Sequence, residues 1–340
     1  MRLIKTSFEI WDQQEGLEGI YKQIERAGRV CYKSEPKYRW YSEDKKRWIN
    51  EDSEEWKAIE NPKKEYPTRG ENISAKPFVD RMVKSGHGAM LEHGTLYLIE
   101  RWKKDTNIVP KYDYNPYSKV VIRNHEGETW KYITTNYRVL VENHWLDDLK
   151  YLCKPTEYHE KRITTRFICD RGVSHEFVRH RVMSFAQEST RYCNYSKDKF
   201  GNELTYIIPS WLGLTEGNYS YIHETGPLGH DFYWTPSVSL SDVEKGARVY
   251  LDALAAAESF YMELLDKWDN KVHDRRFKSG FRGNPWTPQQ ARAVLPNSLK
   301  TELVVTGFAS DWEHFFELRD AGSAHPQARE LAHPLHEEFI

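Results

Sequence analysis

The chain has 340 residues, with 49 lysines and arginines against 51 aspartates and glutamates, so an anion site must be a local concentration of charge; this argues against a general nucleic-acid coat. Hydrophobic residues at 39% and aromatics at 14% suffice for a buried core. No apolar run approaches the ~20 residues of a spanning helix, and the opening "MRLIKTSFEIWDQQ" lacks the apolar centre of a signal peptide, so a cytoplasmic protein is expected. Cys31, Cys153, Cys169 and Cys193 form no C-x-x-C pair, which points to reduced thiols and to no metal site.

Residues from about Tyr38 to Lys76 are dense in mixed charge and predict a solvated excursion with one short helix. "KPFVDRMVKSGHGAMLEH" predicts a helix through about Lys84 that stops at Gly86, then a Gly-rich turn carrying His87, Glu92 and His93. From Lys103 to about Glu126, the prolines, asparagine and tyrosines of "VPKYDYNPYSK" predict an irregular loop. Both stretches, about 38–76 and 103–126, are expected to be insertions into a single domain spanning 1–340. "KRITTRFICD" alternates Ile163, Thr165, Phe167 and Cys169 with Arg162, Thr164 and Arg166, the pattern of a half-buried strand. It runs into "RGVSHEFVRHRVM", compatible with a helix that passes into a loop. "HEFVRH" in that stretch looks like the zinc-protease H-E-x-x-H. On a helix, however, His175 and His180 lie about 140° apart and cannot chelate one ion.

The longest predicted helix follows Ser241, where Ser241 and Glu244 form a capping box and apolar residues from Val243 through Ala247, Leu254 and Tyr261 to Trp268 repeat with 4-3 spacing. Such a seam packs along another helix, either of a second subunit or within its own core. "TPQQ" places Thr287 at an N-cap, Pro288 at N1 and Gln290 at N3 of a short helix that carries Arg292 and ends at Pro296. "LKTELVVTGF" predicts a strand and "SDWEHFFELRD" a helix capped by Ser310 and Glu313. With Trp312 as zero on the helical wheel, Arg319 falls near about 340°, inside the stripe of Phe315 and Phe316. Two readings stand: a buried-face arginine that needs a partner, or a last-turn arginine that suits the helix dipole and snorkels to water.

The stretch "FVRHRVMSFAQESTRYCNYS" concentrates charge. Arg179, Arg181 and Arg191 offer forked donors, and Ser184, Ser189 and Thr190 add hydroxyls, equipment suited to phosphate. There is no G-x-x-x-x-G-K-[ST] and no G-x-G-x-x-G phosphate turn, so side chains would hold the anion. Phe177, Val178, Val182, Met183 and Phe185 interleave with the arginines, which favours a cleft over a solvated face.

"RHRVMSFAQES" is an R-H-R-x7-S pattern from Arg179 to Ser189, and it resembles the signature of the flavin-dependent thymidylate synthases. The resemblance extends to "ERAGRVCYKS", "SGHGAMLEH", "QESTRY", "ARAVLP" and "HFFELRDAGSAHPQARELA", and leaves out the two insertions. It implies a mixed α+β fold, an antiparallel sheet packed against long helices. It implies reductive methylation of dUMP to dTMP, with methylenetetrahydrofolate as carbon donor, FAD as hydride carrier and NADPH as reductant. It also implies a homotetramer with shared sites and no covalent nucleophile, so Ser189 would be a binding hydroxyl.

Carried over by position, the resemblance makes Arg319 the catalytic residue, set against the uracil ring where its cation favours an N3-deprotonated base. Glu176, Arg179, Gln187, Glu188, Ser189, Thr190, Arg191 and Arg292 would join it in binding dUMP, with Ser189 to Arg191 on the phosphate. His87, Glu92, Arg179, His180, Arg181, Gln187 and His314 would contact FAD. The chain departs from the family pattern at several points. Glu176 stands where Gln is common, Ala186 and Gln187 replace "NE", and Ala89 replaces Ser or Thr. Phe308, Ala309 and Ser310 stand where Asn-x-Arg is expected, removing an amide and a guanidinium from the FAD adenosine side. Two other readings use the same arginines: a pyrimidine-nucleotide hydroxymethylase, and a non-catalytic nucleotide- or RNA-binding protein.

Overall fold

The computed structural model describes residues 1–42, 45–58, 70–101, 111–226, 229–235, 245–269 and 273–339. The strands are β1 (Arg2–Ile4), β2 (Ser7–Trp11), β3 (Tyr38–Ser42), β4 (Arg47–Asn50), β5 (Glu71–Asn72), β6 (Thr95–Arg101), β7 (Lys119–His125) and β8 (Glu128–Asn136), followed by β9 (Arg162–Asp170), β10 (Ser184–Gln187), β11 (Thr205–Ile207), β12 (Gly217–Asn218), β13 (Ser220–Gly226), β14 (Gly229–Thr235) and β15 (Lys300–Phe308). The helices are α1 (Gly16–Tyr32), α2 (Glu54–Lys57), α3 (Ala75–Ser85), α4 (Gly88–Leu91), α5 (Tyr137–Glu142), α6 (Arg171–Phe177), α7 (Lys245–Leu264), α8 (Pro288–Ala291), α9 (Ala309–Arg319) and α10 (Pro326–Phe339).

The fold is α+β, and its centre is a four-stranded antiparallel sheet in the order β10-β15-β9-β2. β15 is buried at every position but Lys300 because both of its faces are covered. Leu303 pairs with Phe167 and Val305 with Thr165; on the other side of β15, Gln187 pairs with Leu303 and Ser184 with Thr306. Phe167, Cys169, Leu303 and Val305 pack under Val173, Phe177, Trp312, Phe315, Phe316, Leu331 and Leu335 of α6, α9 and α10. Alternation turns Ala186 and Val304 the opposite way, against Ala27 and Cys31 of α1. α1 buries Ile20, Ile24, Ala27 and Cys31 at 4-3 spacing and stops at Lys33, whose left-handed φ of 49° ends the hydrogen-bond ladder.

The expected helix before Gly86 is α3, with Gly86 at φ 73° as its left-handed cap. The strand expected around Arg162 to Asp170 is β9, and "LKTELVVTGF" is β15. α8 follows Thr287, whose backbone N–H donates to Gln290 Oε1 at 2.9 Å. Four expectations need correction. The helix after β9 ends at Phe177, because Phe177 is drawn into the core while Val178 and Arg179 turn outward; "SFAQ" is then strand β10, not loop. The cap of α9 is Phe308, whose N–H donates to Asp311, since β15 runs directly into the helix and leaves Ser310 inside its first turn. The excursion at 38–76 contains the small antiparallel sheet β4-β3-β5 besides the short helix α2. Residues 119–125, placed in an irregular loop by sequence, are strand β7 paired with β8, for which "KVVI" supplies β-branched residues.

The capping box at Ser241 and Glu244 lies outside the described residues. α7 stops at Leu264, short of Trp268, and Asp266 takes a positive φ of 56°. Ala247, Leu254 and Tyr261 are buried within the chain against Leu3 and Tyr206, so the core side of the open seam reading is occupied in this chain. Val249 is 70% exposed on the same helix. All four cysteines are free thiols. No described helix is long and apolar enough to cross a membrane.

Candidate functional site

α6 begins with an N-cap in which Asp170 Oδ1 accepts from Val173 N at 2.7 Å, and ends at buried Phe177. The turn that follows sets out the signature. His180 goes inward, 7% exposed, with its ring 5.0 Å from that of Phe315 and 5.9 Å from that of His314. Arg179 and Arg181 go outward, flanked by exposed Val178 and Val182, and neither has a carboxylate partner among the described residues. Two exposed guanidiniums without counter-ions are the donor chemistry a diphosphate takes, so this turn fits the phosphates of a dinucleotide cofactor.

Arg319, at the end of α9, reaches back to this turn. Its Nη1 donates to Glu176 Oε2 at 2.7 Å, its Nη2 to the Glu176 carbonyl at 2.8 Å, and its Nε to His180 Nε2 at 3.1 Å. Of the two sequence readings for Arg319, the structure selects the partnered arginine: its side chain is 15% exposed and that of Glu176 27%. Because His180 Nε2 accepts, the ring proton sits on Nδ1. Burial, then the Arg319 cation, then His314, push the imidazole down to about 4.

The second group of predicted residues lies past the other end of β10. Gln187 donates to Ser174 Oγ at 2.8 Å and to Thr301 Oγ1 at 3.3 Å. Glu188 is 3% exposed, and its carboxylate accepts from Tyr195 at 2.9 Å and from Lys300 at 2.8 Å. Lys300 and Lys33 also pair with Glu302, which Arg166 holds from the far side at 2.8 Å. Burial alone would raise the Glu302 carboxyl, but Lys300 and Lys33 hold it down to about 2.

This ion cluster anchors the segment that follows. Ser189 N donates to Cys31 O at 3.0 Å, at the end of α1, and Arg292 Nη1 donates to Thr190 Oγ1 at 3.3 Å. Arg191 and Arg292 are exposed and have no carboxylate partner among the described residues. Thr190 and Arg292 thus meet, with Ser189 and Arg191 beside Thr190 in the chain and the Arg191 Cζ 5.6 Å from the Tyr192 ring centroid. Sequence reasoning missed Lys33, Lys300 and Glu302; the one available signal was that Lys300 and Glu302 share a strand face at i, i+2 spacing.

His87 and Glu92 flank the short helix α4. His87 is exposed at its N-cap, and Glu92 pairs with Arg138. Arg162 links this region to β10, its Nη1 donating to Glu92 O at 3.0 Å and its Nη2 to Ser184 Oγ at 3.3 Å. Arg162 was not singled out in the sequence, yet it lies beside the departure at 308–310, with its Cζ 5.5 Å from the Phe308 ring centroid. A cleft of about 880 Å³ opens there, lined by Arg162, Ala309, Glu313, Trp11, Tyr97 and Phe316 among others.

The predicted residues therefore form two main clusters on one strand. Glu176, Arg179, His180, Arg181, His314 and Arg319 stand beyond Ser184, while Glu188, Ser189, Thr190, Arg191 and Arg292 stand beyond Gln187. Those two strand ends are about 10 Å apart at ~3.3 Å per residue.

A family model described as "Thymidylate synthase complementing protein" matches residues 132–340, more than half of the chain. The match includes both clusters and leaves out His87 and Glu92. Among curated proteins, the flavin-dependent thymidylate synthase of Corynebacterium aurimucosum is 28% identical over 162 residues, 48% of this chain and 51% of that protein. The enzyme of the same name from Mycobacterium tuberculosis (strain ATCC 25618 / H37Rv) is 28% identical over 162 residues, 48% of this chain and 50% of that protein. The chain thus matches about half the length of these relatives. A solved structure of a UMP/dUMP methylase PolB from Streptomyces cacaoi bound with 5-Br dUMP is 16% identical, covering 100% of this chain and 92% of that one; its TM-score of 0.37 is too low for residue-level correspondence.

Proposed function

The chain belongs to the thymidylate synthase complementing protein family, and from that premise we propose that it is a flavin-dependent thymidylate synthase, methylating dUMP to dTMP with methylenetetrahydrofolate as carbon donor and NADPH as reductant. The observation that carries the reading is the contact between Arg319 and the signature turn through Glu176 and His180. It joins two motifs 139 residues apart, His180 and Arg319, into one polar site beside Arg179 and Arg181, which have no carboxylate partner among the described residues.

In this reading Ser189, Thr190, Arg191 and Arg292 donate to the phosphate of dUMP, and Glu188 serves from the buried ion cluster as an anchor for that segment. Glu176 and Arg319 face the uracil base, and Arg179 stands between base and cofactor. Arg179 and Arg181 would hold FAD phosphates, with His180, His314, His87 and Glu92 as its other contacts. FAD, when bound, supplies the hydride that reduces the transferred carbon. Preorganised donors matter most where charge develops, and Arg319 is fixed by three hydrogen bonds before any ligand arrives.

The reading includes a homotetramer with shared sites, as the family resemblance implies. The site of action is the cytoplasm. The test is the absorbance spectrum of the purified protein together with NADPH-dependent formation of dTMP. Production of 5-hydroxymethyl-dUMP without NADPH consumption would transfer the assignment to a hydroxymethylase. Nucleotide or RNA binding with no flavin absorbance and no turnover would reduce it to a binding protein.

A further inference from the structure

The pair formed by Arg319 and Glu176 has a free edge. A guanidinium carries five N–H donors, and three of those of Arg319 are spent on Glu176 Oε2, the Glu176 carbonyl and His180 Nε2. Two remain. Glu176 Oε1 has no partner among the described residues, and its side chain is 27% exposed. Donor and acceptor thus stand side by side, held rigid by the Glu176 carbonyl and the His180 ring, and such an edge is complementary to a neutral –C(=O)–N(H)– unit. It is not complementary to the same unit once the nitrogen has lost its proton. An imidate would meet the Glu176 carboxylate as a second negative charge about 4 Å away, competing for one guanidinium. Glutamine at this position would present no such charge.

Resting on the reading that Arg319 faces the base, we infer that Glu176 makes this chain select the neutral imide form of a uracil nucleotide, Oε1 accepting from N3–H while Arg319 donates to an adjacent carbonyl oxygen. Glu176 is a specificity-determining residue in this account, and its carboxylate excludes the N3-deprotonated base that an unopposed arginine would favour.

The experiment compares dUMP with 5-fluoro-dUMP, whose electron-withdrawing fluorine lowers the pKa of N3 towards neutral pH. Affinities are measured by calorimetry on the holoprotein at one pH unit below and one above the analogue's N3 pKa. Above it, only about a tenth of the analogue remains neutral, so the ratio of its Kd to that of dUMP should rise about tenfold in the wild type. In Glu176→Gln the ratio should stay flat or fall. Other ionisable side chains lie near the pair: His180 and His314, His175 on α6, and His333 and His336 of α10 around Asp320. They act on both nucleotides alike and cancel in the ratio. A ratio that stays flat or falls in the wild type overturns the inference, and this measurement needs no variant to fold. If neither nucleotide binds at either pH, the nucleotide reading itself fails and takes this inference with it.

Discussion

Replacing Arg319 by alanine tests the centre of the site. The change deletes three hydrogen bonds and leaves Glu176 Oε2, 2.7 Å from its lost partner, without a counter-ion. Exposed ion pairs contribute about 0–1 kcal/mol, and breaking a buried one costs about 3–5 kcal/mol. With the two side chains 15% and 27% exposed, a loss of about 2 kcal/mol is expected. An unfolding entropy of roughly 2.1 cal/mol/K per residue over 340 residues converts this into a fall in Tm of about 3 °C. The more specific readout is His180. Burial is the first cause of its depressed pKa and the Arg319 cation the second; without Arg319, the imidazolium is less disfavoured, so the midpoint rises from about 4 without reaching the ordinary 6.5. The sign for stability follows. A histidine depressed in the folded state contributes fully above about pH 6.5, and the contribution fades as pH falls towards 4; the variant should lose less over that window. Carbon-detected NMR of the imidazole Cε1 and calorimetry at several pH values measure both effects. A His180 midpoint unchanged in the variant would refute the electrostatic coupling on which the site is built. Turnover of dUMP in the same variant should fall by about 100- to 1000-fold with FAD still bound, and unchanged turnover would remove the catalytic role of Arg319.

Trp312 is fully buried and rings Phe315, Phe316, Phe167 and Phe339, so Trp312→Ala should cost about 3–5 kcal/mol, read from the urea midpoint. Glu302 has a folded-state pKa of about 2 against an ordinary 4.5, so its contribution is complete above about pH 4.5 and is lost as pH falls towards 2. The stability gap between the wild type and Glu302→Gln should therefore close over that range, and a gap independent of pH would contradict the ion cluster. Burial pushes the Cys31 and Cys193 thiols up to about 11. A disulfide reagent at pH 8 should therefore modify partly exposed Cys153 first and reach the other two only on unfolding.

Local pattern carried much of the fold into the sequence. The alternation of β9, the β-branched Val304 to Thr306 of β15, the Gly86 stop and the Thr287 cap are each set by neighbours within a few residues, and each formed where the residues indicate. The errors fell where a competing tertiary demand decided. α6 stops at Phe177 because that ring enters the core, and residues 119–125 become a strand because β8 offers an edge to pair with. On the site, the arginine cluster and its signature were readable as residue types at fixed spacing. The ion cluster of Lys33, Glu188, Lys300 and Glu302 was not, since it assembles charges from a helix end and two separate strands.

What the sequence by itself determined is the inventory: a near-neutral chain with an R-H-R-x7-S motif, clustered arginines and an arginine in an aromatic stripe, all features of composition and short-range spacing. What only the tertiary structure decided is who meets whom. Arg319 and Glu176 are 143 residues apart, and their contact exists because β15 lies between β9 and β10 and delivers α9 onto α6. The same sheet sends Ser189, Thr190 and Arg191 to the far end of β10. Spacing along a chain fixes which residues share a helix face or a strand face, whereas the partner of a charge is fixed by sheet order, which no local pattern encodes.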